Sequence, residues 1–274
     1  MTKRIAIALA ASMLLAAPAF AGDHGQNSHD PINAEHGGDA GPACTGFGPQ
    51  TPRDIDSKAG ANSVTFKVAP PASEMHLCNI HFHEGAEHKS KDFGMFIGEG
   101  HEGFGSGYQC SLSKKLSKAE RAWSGDGVCK GAHGDLKPGD TIEVHYVHTS
   151  CNVQPGPTLG ACLTDTCKEP DLRVETQVFT LVAEGGLDFN AIQSAAALPT
   201  DTGAPVEFLG STTGPKYSDQ TCSPFKVTWS VRPSCAKLNI ASVGKWCEGN
   251  VFKEDHAHGV RKLVTNPDLL SRIK

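Results

Sequence analysis

The amino-acid sequence predicts a single domain that is mainly β, with a few short helices. Glycine and proline are plentiful, at 30 and 17 of 274 residues, which is typical of strands joined by turns and argues against a helical bundle. Several short runs alternate between apolar and polar side chains, the pattern of half-buried strands. No internal repeat or long linker divides the chain, so one domain is the simplest interpretation.

The alternating runs place the strands in order along the chain. We expect strands at residues 64–68, 77–83, 93–97, 141–148, 172–182 and 225–231. Turn-forming residues separate them, such as the Lys-Pro-Gly-Asp sequence directly before the strand at 141–148. Helix-forming residues predict short helices at 114–123, 189–197 and 268–273, the last of them after Pro267, because proline favours the first turn of a helix.

Residues 1–21 have the features of an export signal. Lys3 and Arg4 precede an apolar run at 5–17, and the small residues Ala19 and Ala21 form a cleavage site after residue 21. The apolar run is too short to remain as a membrane anchor, and no later stretch is long and apolar enough to span a bilayer. We therefore expect an exported protein, periplasmic or secreted, with no membrane anchor.

The segment that follows, 22–43, is polar and contains His24, His29 and His36. Because it has few apolar side chains to bury, we interpret it as a disordered arm in front of a folded domain at 44–274. Its histidines could also bind a metal, although a solvated tail is the simpler interpretation.

Cysteine content and charge restrict the compartment and the partners. All 10 cysteines lie beyond the export signal, and an even number in an exported chain predicts disulfide bonds. No Cys-x-x-Cys pair is present, which argues against zinc-ribbon and thioredoxin-like sites. The formal net charge of −5 argues against nucleic acid and anionic membrane surfaces as partners.

Two of the predicted strands carry residues that suit a metal ion. Side chains two apart in a strand point to one face, so His81 and His83 lie together while Phe82 points to the opposite face. The same rule brings Glu143 and His145 together, where the carboxylate can accept the second ring N–H of the histidine. Three histidines from two strands predict a zinc site with a fourth position for water. An isolated His-x-His pair also occurs in cupins, copper carriers and ordinary protein cores.

Three separated segments resemble α-class carbonic anhydrases. They are His-Phe-His at 81–83, Glu-Val-His-Tyr-Val-His at 143–148, and Gly-Ser-Thr-Thr-Gly-Pro at 210–215 with Val-Thr-Trp at 227–229, in the α-class order. A shorter turn after the first segment, a cysteine-rich insertion and an unfamiliar tail at 255–261 depart from that class. From about Cys44 onward the chain looks more like the δ-class carbonic anhydrases and their bacterial relatives.

The resemblance implies an α-carbonic-anhydrase-like fold, built on a large, twisted, mostly antiparallel sheet, and it assigns roles to single residues. The implied ligands of one Zn²⁺ ion per chain are His81, His83 and His145. Asn79 and Glu143 match the groups that hold two of these ligands in place.

The resemblance also implies a catalytic pair and one disulfide bond. Glu87 matches a carboxylate that orients a threonine hydroxyl. An ungapped match of the loop at 210–215 selects Thr213 as that threonine, and a match with a one-residue gap selects Thr212; we favour Thr213. The implied disulfide joins Cys44 to Cys222.

These assignments lead to an expected reaction. Three neutral imidazoles leave zinc its full charge, which lowers the pKa of a bound water to about 7. The expected function is reversible hydration of carbon dioxide to bicarbonate and a proton by a metal-bound hydroxide. Val147 and Val178 are candidates for the apolar wall of the pocket, and His88 and His101 are candidates for the proton shuttle.

Other functions are weighed against this one. A non-catalytic periplasmic protein could bind zinc or copper through the arm and the His-x-His strands. Thr213 and Glu87 favour the enzyme, because a carrier has no use for a pair that orients hydroxide. A cupin-type oxygenase is a third hypothesis, which the match at 210–215 disfavours. The sequence leaves the oligomeric state open.

Three further histidines are interpreted structurally. His148 lies three residues beyond His145, points to the other strand face, and is interpreted as a hydrogen-bonded core histidine. His256 and His258 form a second His-x-His pair that is compatible with a separate metal, but a hydrogen-bonded structural role is favoured.

Overall fold

A computed structural model describes residues 44–98, 107–131, 134–212, 217 and 221–274. The predicted export signal at 1–21 and the predicted arm at 22–43 lie outside the described residues. The same is true of Thr213 and His101.

The described strands form one large sheet and two small two-stranded sheets. Their bounds are β1 His76–Glu84, β2 Met95–Phe96, β3 Tyr108–Gln109, β4 Val128–Gly131, β5 Gly134–Leu136, β6 Thr141–Thr149, β7 Leu172–Val182, β8 Val206–Ser211, β9 Lys226–Val231 and β10 Ala236–Asn239. β2 pairs with β3 and β4 pairs with β5, both antiparallel. The other six strands form the large sheet.

The large sheet is mixed. Its order is β1-β6-β7-β9-β8, and β10 also pairs with β7. The β1–β6, β6–β7 and β8–β9 pairs are antiparallel, whereas β9 and β10 run parallel to β7. β9 and β10 follow one another along one edge of β7, paired with its residues 173–176 and 179–182. The predicted mainly β fold with a large, mostly antiparallel sheet is therefore confirmed.

The predicted helix at 114–123 is mostly not helical. The chain forms a 3₁₀ turn at Ser111–Lys115 and then a short helix, α1, at Lys118–Arg121. Leu116 has extended backbone between them, and Ser117 caps α1 through reciprocal hydrogen bonds with Glu120. The capping box fixes where the helix starts, so the propensity of the earlier lysines does not extend it.

The other two predicted helices are short 3₁₀ turns. They occupy Phe189–Ala191, Ala195–Ala197 and Pro267–Leu269. The sequence analysis missed a longer helix, α2, at Ile240–Cys247, which Asn239 caps through the N–H of Ser242. Its buried residues recur every three positions after that cap, a signal that could have identified it.

The predicted strand at 64–68 is wrong. Val64 and Val68 are 36% and 47% exposed, and the segment has irregular backbone. The chain beside it is held through side chains instead of a strand ladder. The N–H of Ala69 donates to the Thr228 hydroxyl, and Arg173 donates to the carbonyls at residues 69 and 70. Alternation predicts a strand only where a neighbouring strand edge is available.

Two apolar clusters cover the two faces of the sheet. On one face, Phe82 of β1 packs with Phe189 and with Trp246 of α2. On the other face, Val147, Val178 and other apolar residues pack around Trp229 of β9. All nine residues of β6 are buried, because both faces of this strand are covered.

All ten cysteines are paired. The disulfide bonds are Cys44–Cys222, Cys78–Cys162, Cys110–Cys235, Cys129–Cys247 and Cys151–Cys167. The first is the pairing that the resemblance implied. Five disulfides indicate an oxidising compartment outside the cytosol. Among the described residues, no helix has the length and apolar character needed to cross a membrane.

Candidate metal centre

The pairing of β1 with β6 brings three histidines together. His81 lies directly opposite His145, and His83 lies opposite Glu143. His81, His83 and His145 are 5%, 3% and 1% exposed, and one ring nitrogen from each lies within 4.8 Å of the other two. Three buried imidazoles on one face of a rigid sheet form a preorganised set of nitrogen donors.

His81 is oriented by its neighbour on the same strand. Its Nδ1 lies 2.7 Å from Asn79 Oδ1, and Asn79 Nδ2 donates to the carbonyl of Gly156 at 3.2 Å. Because Asn79 presents its oxygen, His81 must carry its proton on Nδ1. The lone pair of Nε2 then faces the cluster, 3.2 Å from His145 Nδ1.

His83 is oriented by the backbone of the C-terminal segment. Its Nδ1 donates to the carbonyl of Gly259 at 2.9 Å. Its Nε2 is buried and has no hydrogen-bond partner among the residues that the structure describes. A buried nitrogen without a partner costs free energy, and a metal ion at this position would satisfy it.

His145 is oriented by Glu143. Its Nε2 donates to Glu143 Oε1 at 3.0 Å, which leaves Nδ1 with a lone pair that faces His81. The same carboxylate accepts the Nδ1–H of His88 at 2.6 Å and the backbone N–H of His88 at 3.0 Å. Burial opposes the charge of Glu143, but its hydrogen bonds with His88 and His145 outweigh burial and hold the pKa of Glu143 below the usual range.

The three nitrogens fit a cation. His81 Nε2, His83 Nε2 and His145 Nδ1 carry lone pairs, because the second nitrogen of each ring donates to a fixed acceptor. Burial lowers the pKa of His83 and His145, so these rings remain neutral as a metal requires. The donor set contains no thiolate, which is typical of catalytic zinc sites with three histidines.

Another group of possible ligands in the described part of the chain does not fit a metal. Asp92, Cys110 and Cys235 lie close together, but the two cysteines form a disulfide and offer no thiolate.

Glu87 is buried beside the histidines. Its Oε1 lies 3.7 Å from His83 Nδ1, its Oε2 lies 3.9 Å from His145 Nε2, and the backbone N–H of Arg261 donates to Oε1 at 3.4 Å. Burial raises the pKa of Glu87, although His145 opposes this shift. The environments of the two carboxylates near the site therefore push their pKa values in opposite directions.

Of the two candidate threonines, only Thr212 is among the described residues. It is buried, its hydroxyl lies 3.2 Å from the Ser223 hydroxyl, and its N–H donates to the carbonyl of Phe225. These contacts attach Thr212 to the start of β9.

His88 does not have the surroundings of a proton shuttle. Its side chain is fully buried, Nδ1 is bonded to Glu143, and Nε2 lies 2.9 Å from the Thr51 hydroxyl. Because both nitrogens are engaged away from solvent, His88 supports Glu143 instead of exchanging protons with water. The proposed shuttle role of His88 is therefore wrong.

The contacts of His148, His256 and His258 agree with the structural interpretation of these three histidines. His148 is buried and donates from Nδ1 to the carbonyl of Tyr146 at 3.0 Å. His258 Nε2 lies 2.7 Å from Glu254 Oε2, and His256 Nδ1 lies 2.5 Å from Asp255 Oδ1. The backbone of His258 bonds to Phe82 and Glu84, so this segment lies along β1.

The sequence analysis missed the contribution of the C-terminal segment. Gly259 acts through its carbonyl, which every residue has, so no side-chain pattern identifies it. Glu254 pairs with His258, whose ring centre lies 6.0 Å from the ring centres of both His81 and His83. The unusual run of charged residues and histidines at 254–258 is the signal that could have located this contact.

Apolar residues complete the same face of the sheet. Val147 and Val178 are buried in the cluster around Trp229, and the Trp229 ring lies 5.1 Å from the ring of His145. The donor set therefore has polar groups behind each imidazole and an apolar surface beside it.

Comparison with known protein families places the chain in one of them. A family model described as "Delta carbonic anhydrase" matches residues 72–242, a range that includes all three histidines. An α-carbonic anhydrase from Photobacterium profundum is similar at 18% identity and a TM-score of 0.28, over 81% of this chain and 88% of that one. No curated protein matches the chain. Because the family model covers well over half of the sequence, the chain belongs to the δ-carbonic anhydrase family and is a carbonic anhydrase.

Proposed function

We propose that the protein hydrates carbon dioxide reversibly to bicarbonate and a proton with one zinc ion, and that His81, His83 and His145 hold this ion. The observation that carries the proposal is the buried Nε2 of His83, which has no hydrogen-bond partner among the described residues and belongs to the converging set of ring nitrogens. Zinc held by three neutral imidazoles would supply hydroxide at neutral pH, because it lowers the pKa of water to about 7.

The residues behind the imidazoles keep each donor in the metal-binding tautomer. Asn79 accepts from His81, Gly259 accepts from His83, and Glu143 accepts from His145. In each case the acceptor leaves the opposite ring nitrogen unprotonated. Such partners typically change metal affinity by about 10- to 100-fold.

Glu87 and Thr213 form the proposed catalytic pair. In this role the threonine hydroxyl would donate a hydrogen bond to the Glu87 carboxylate and accept one from the hydroxide that zinc supplies, so that an oxygen lone pair would face carbon dioxide. Thr212 is the alternative, and its hydroxyl is already close to Ser223. We expect Thr213→Ala to reduce kcat/KM more strongly than Thr212→Ala; the reverse result would assign the role to Thr212.

The apolar surface beside His145 suits a small uncharged substrate. Val147 and Trp229 present hydrocarbon and aromatic surface on the face that carries the imidazoles. Carbon dioxide has no net charge and gains from such surroundings, whereas bicarbonate is better solvated by water. The five disulfides, together with the predicted export signal, support action in the periplasm or the medium.

The test is stopped-flow hydration of carbon dioxide by the purified, metal-assayed protein beside two variants. His145→Ala should abolish zinc-dependent hydration. His148→Ala is the matched control, because it removes another buried histidine from β6 on the opposite face and should keep one zinc per chain. No hydration by wild-type protein that holds one metal per chain would overturn the proposal and favour a non-catalytic zinc- or copper-binding protein.

A further inference from the structure

The cysteine-rich insertion between β6 and β7 contacts Asn79, the residue that orients His81. We call residues 151–167 the stapled insertion, because Cys151–Cys167 closes the segment on itself and Cys78–Cys162 attaches it to β1. The attachment point on β1 is the residue directly before Asn79. The resemblance to α-class enzymes gave this segment no role.

Gly156 is the contact between the stapled insertion and the site. Its N–H donates to the carbonyl of Cys78 at 3.0 Å, and its carbonyl accepts from Asn79 Nδ2 at 3.2 Å. Gly156 is buried, and the carbonyl of Cys162 in the same segment accepts from the Thr149 hydroxyl at 2.8 Å. The position of the Gly156 carbonyl is therefore fixed from several sides.

The direction of the Asn79 amide decides the chemistry of His81. An asparagine can present either its oxygen or its NH₂ group to a neighbour. A carbonyl such as that of Gly156 can accept only from the NH₂ group, so Oδ1 is left facing His81. If the amide were reversed, His81 Nδ1 would have to accept and the ring proton would move to Nε2, on the side where the metal binds.

We propose that the stapled insertion is a positioning element for His81. Through the Gly156 carbonyl it fixes the Asn79 amide, and through Asn79 it holds His81 in the tautomer whose Nε2 can bind the metal. The proposal rests on the proposed function, because it concerns the same metal centre. It predicts that the Cys78–Cys162 disulfide sets metal affinity as well as stability.

The first test is a double-mutant cycle on zinc affinity, measured by chelator competition. Asn79→Ala should weaken zinc binding by about 10- to 100-fold, the usual effect of losing such a partner. The pair Cys78→Ser/Cys162→Ser should weaken binding by about 10-fold. If the insertion acts through Asn79, the variant that carries all three substitutions should bind zinc no more weakly than the Asn79→Ala variant. Losses that multiply would overturn the proposal.

A matched control separates positioning from general destabilisation. Cys129→Ser/Cys247→Ser removes a disulfide from the apolar face of the sheet, and it should leave the zinc affinity of the folded protein within about 2-fold of wild type. An equal loss of affinity in both disulfide variants would contradict the proposal. Gly156→Val is a second variant and keeps every cysteine. A Cβ at this position would lie 3.2 Å from the Ala161 Cβ, so one of the two backbones must shift by a few tenths of an ångström, and we expect the larger valine side chain to disturb the contact with Asn79.

The tautomer itself gives a readout that needs no metal. In ¹H–¹⁵N spectra of the metal-free wild-type protein, His81 should be protonated at Nδ1, whereas the Cys78→Ser/Cys162→Ser and Gly156→Val variants should show a mixture of tautomers. Unchanged spectra in both variants would overturn the positioning role. A wild-type protein with this tautomer but without zinc affinity would overturn the proposed function alone.

Discussion

The two faces of β1 are equally buried but have opposite energetic roles. On one face, Phe82 packs against the rings of Phe189 and Trp246 at 6.4 Å and 5.8 Å. On the other face, His81 and His83 each need a dedicated acceptor for one nitrogen and a further partner for the other. Burial stabilises the first face directly, whereas the second face is favourable only when every polar atom is satisfied.

This contrast means that stability and chemistry can be changed separately on one strand. The apolar face contributes free energy whether or not a metal is present. The histidine face has a buried nitrogen, His83 Nε2, without a partner among the described residues, and the proposed cation would satisfy it. Substitutions on the histidine face should therefore change mainly zinc affinity, whereas substitutions on the apolar face should change mainly the free energy of unfolding.

The largest expected effect is on the histidine face. His83→Leu should reduce zinc affinity by more than about 100-fold, because it removes a proposed ligand and not only a supporting partner. The stability of the metal-free protein should change little, because removal of the unsatisfied Nε2 offsets the loss of the hydrogen bond to the Gly259 carbonyl. Chelator competition and urea unfolding test the two parts. A large loss of metal-free stability would contradict the contrast between the faces.

On the apolar face, Phe82→Ala should lower the free energy of unfolding by about 3–5 kcal/mol through the cavity it leaves. Zinc affinity of the remaining folded protein should change little, because the side chain points away from the donors. Phe82→Leu is the milder control and should cost less than about 1.5 kcal/mol. Loss of zinc from folded Phe82→Leu protein would show that the faces are coupled.

Removing a supporting carboxylate should have an intermediate effect. Glu143→Gln should weaken zinc binding by about 10- to 100-fold, because the amide no longer attracts the Nε2 proton of His145 as strongly. Glu143, on β6, and Phe82, on β1, are equally buried. A loss of zinc affinity in Glu143→Gln but not in Phe82→Leu would therefore separate the role of the histidine face from the effect of burial alone. Zinc affinity equal to wild type would contradict the proposed tautomer of His145.

The last expected effect is a pH dependence of stability that arises from Glu254, the partner of His258. Burial raises the pKa of Glu254 to about 7, from 4.5. Between pH 4.5 and pH 7, Glu254 keeps a proton in the folded state that it has lost in the unfolded state. Its contribution to the free energy of unfolding therefore falls as the pH rises, by about 1.4 kcal/mol per pH unit at most. Urea unfolding of the metal-free protein from pH 5 to 8 should show a weaker decline in Glu254→Gln; identical slopes would reject this origin.

Local sequence rules predicted the faces of the strands but not their surroundings. The period of two placed His81 with His83 and Glu143 with His145, because it depends only on backbone geometry. The register that sets His81 opposite His145 follows a bulge between Leu77 and Asn79, which no side-chain pattern announced. The segment at 64–68 has the right alternation but attaches to the fold through side chains, so it does not become a strand.

The same limit applies around the metal centre. The sequence predicts that Glu143 supports His145, but it does not show that Glu143 also binds His88, because only the fold brings both imidazoles to one carboxylate. Gly259 and Gly156 act through backbone carbonyls, so their roles depend on tertiary structure. Side chains with distinctive chemistry are visible in a sequence, whereas the backbone groups that orient them are not.

The bond between His83 and Gly259 has a consequence for the order in which the site can form. The two residues are 176 positions apart. The pairing of β1 with β6 by itself brings the three histidines together. The His83 proton is fixed only after the segment that contains residue 259 has folded back along β1, so the proposed metal site would acquire its final protonation pattern late in folding.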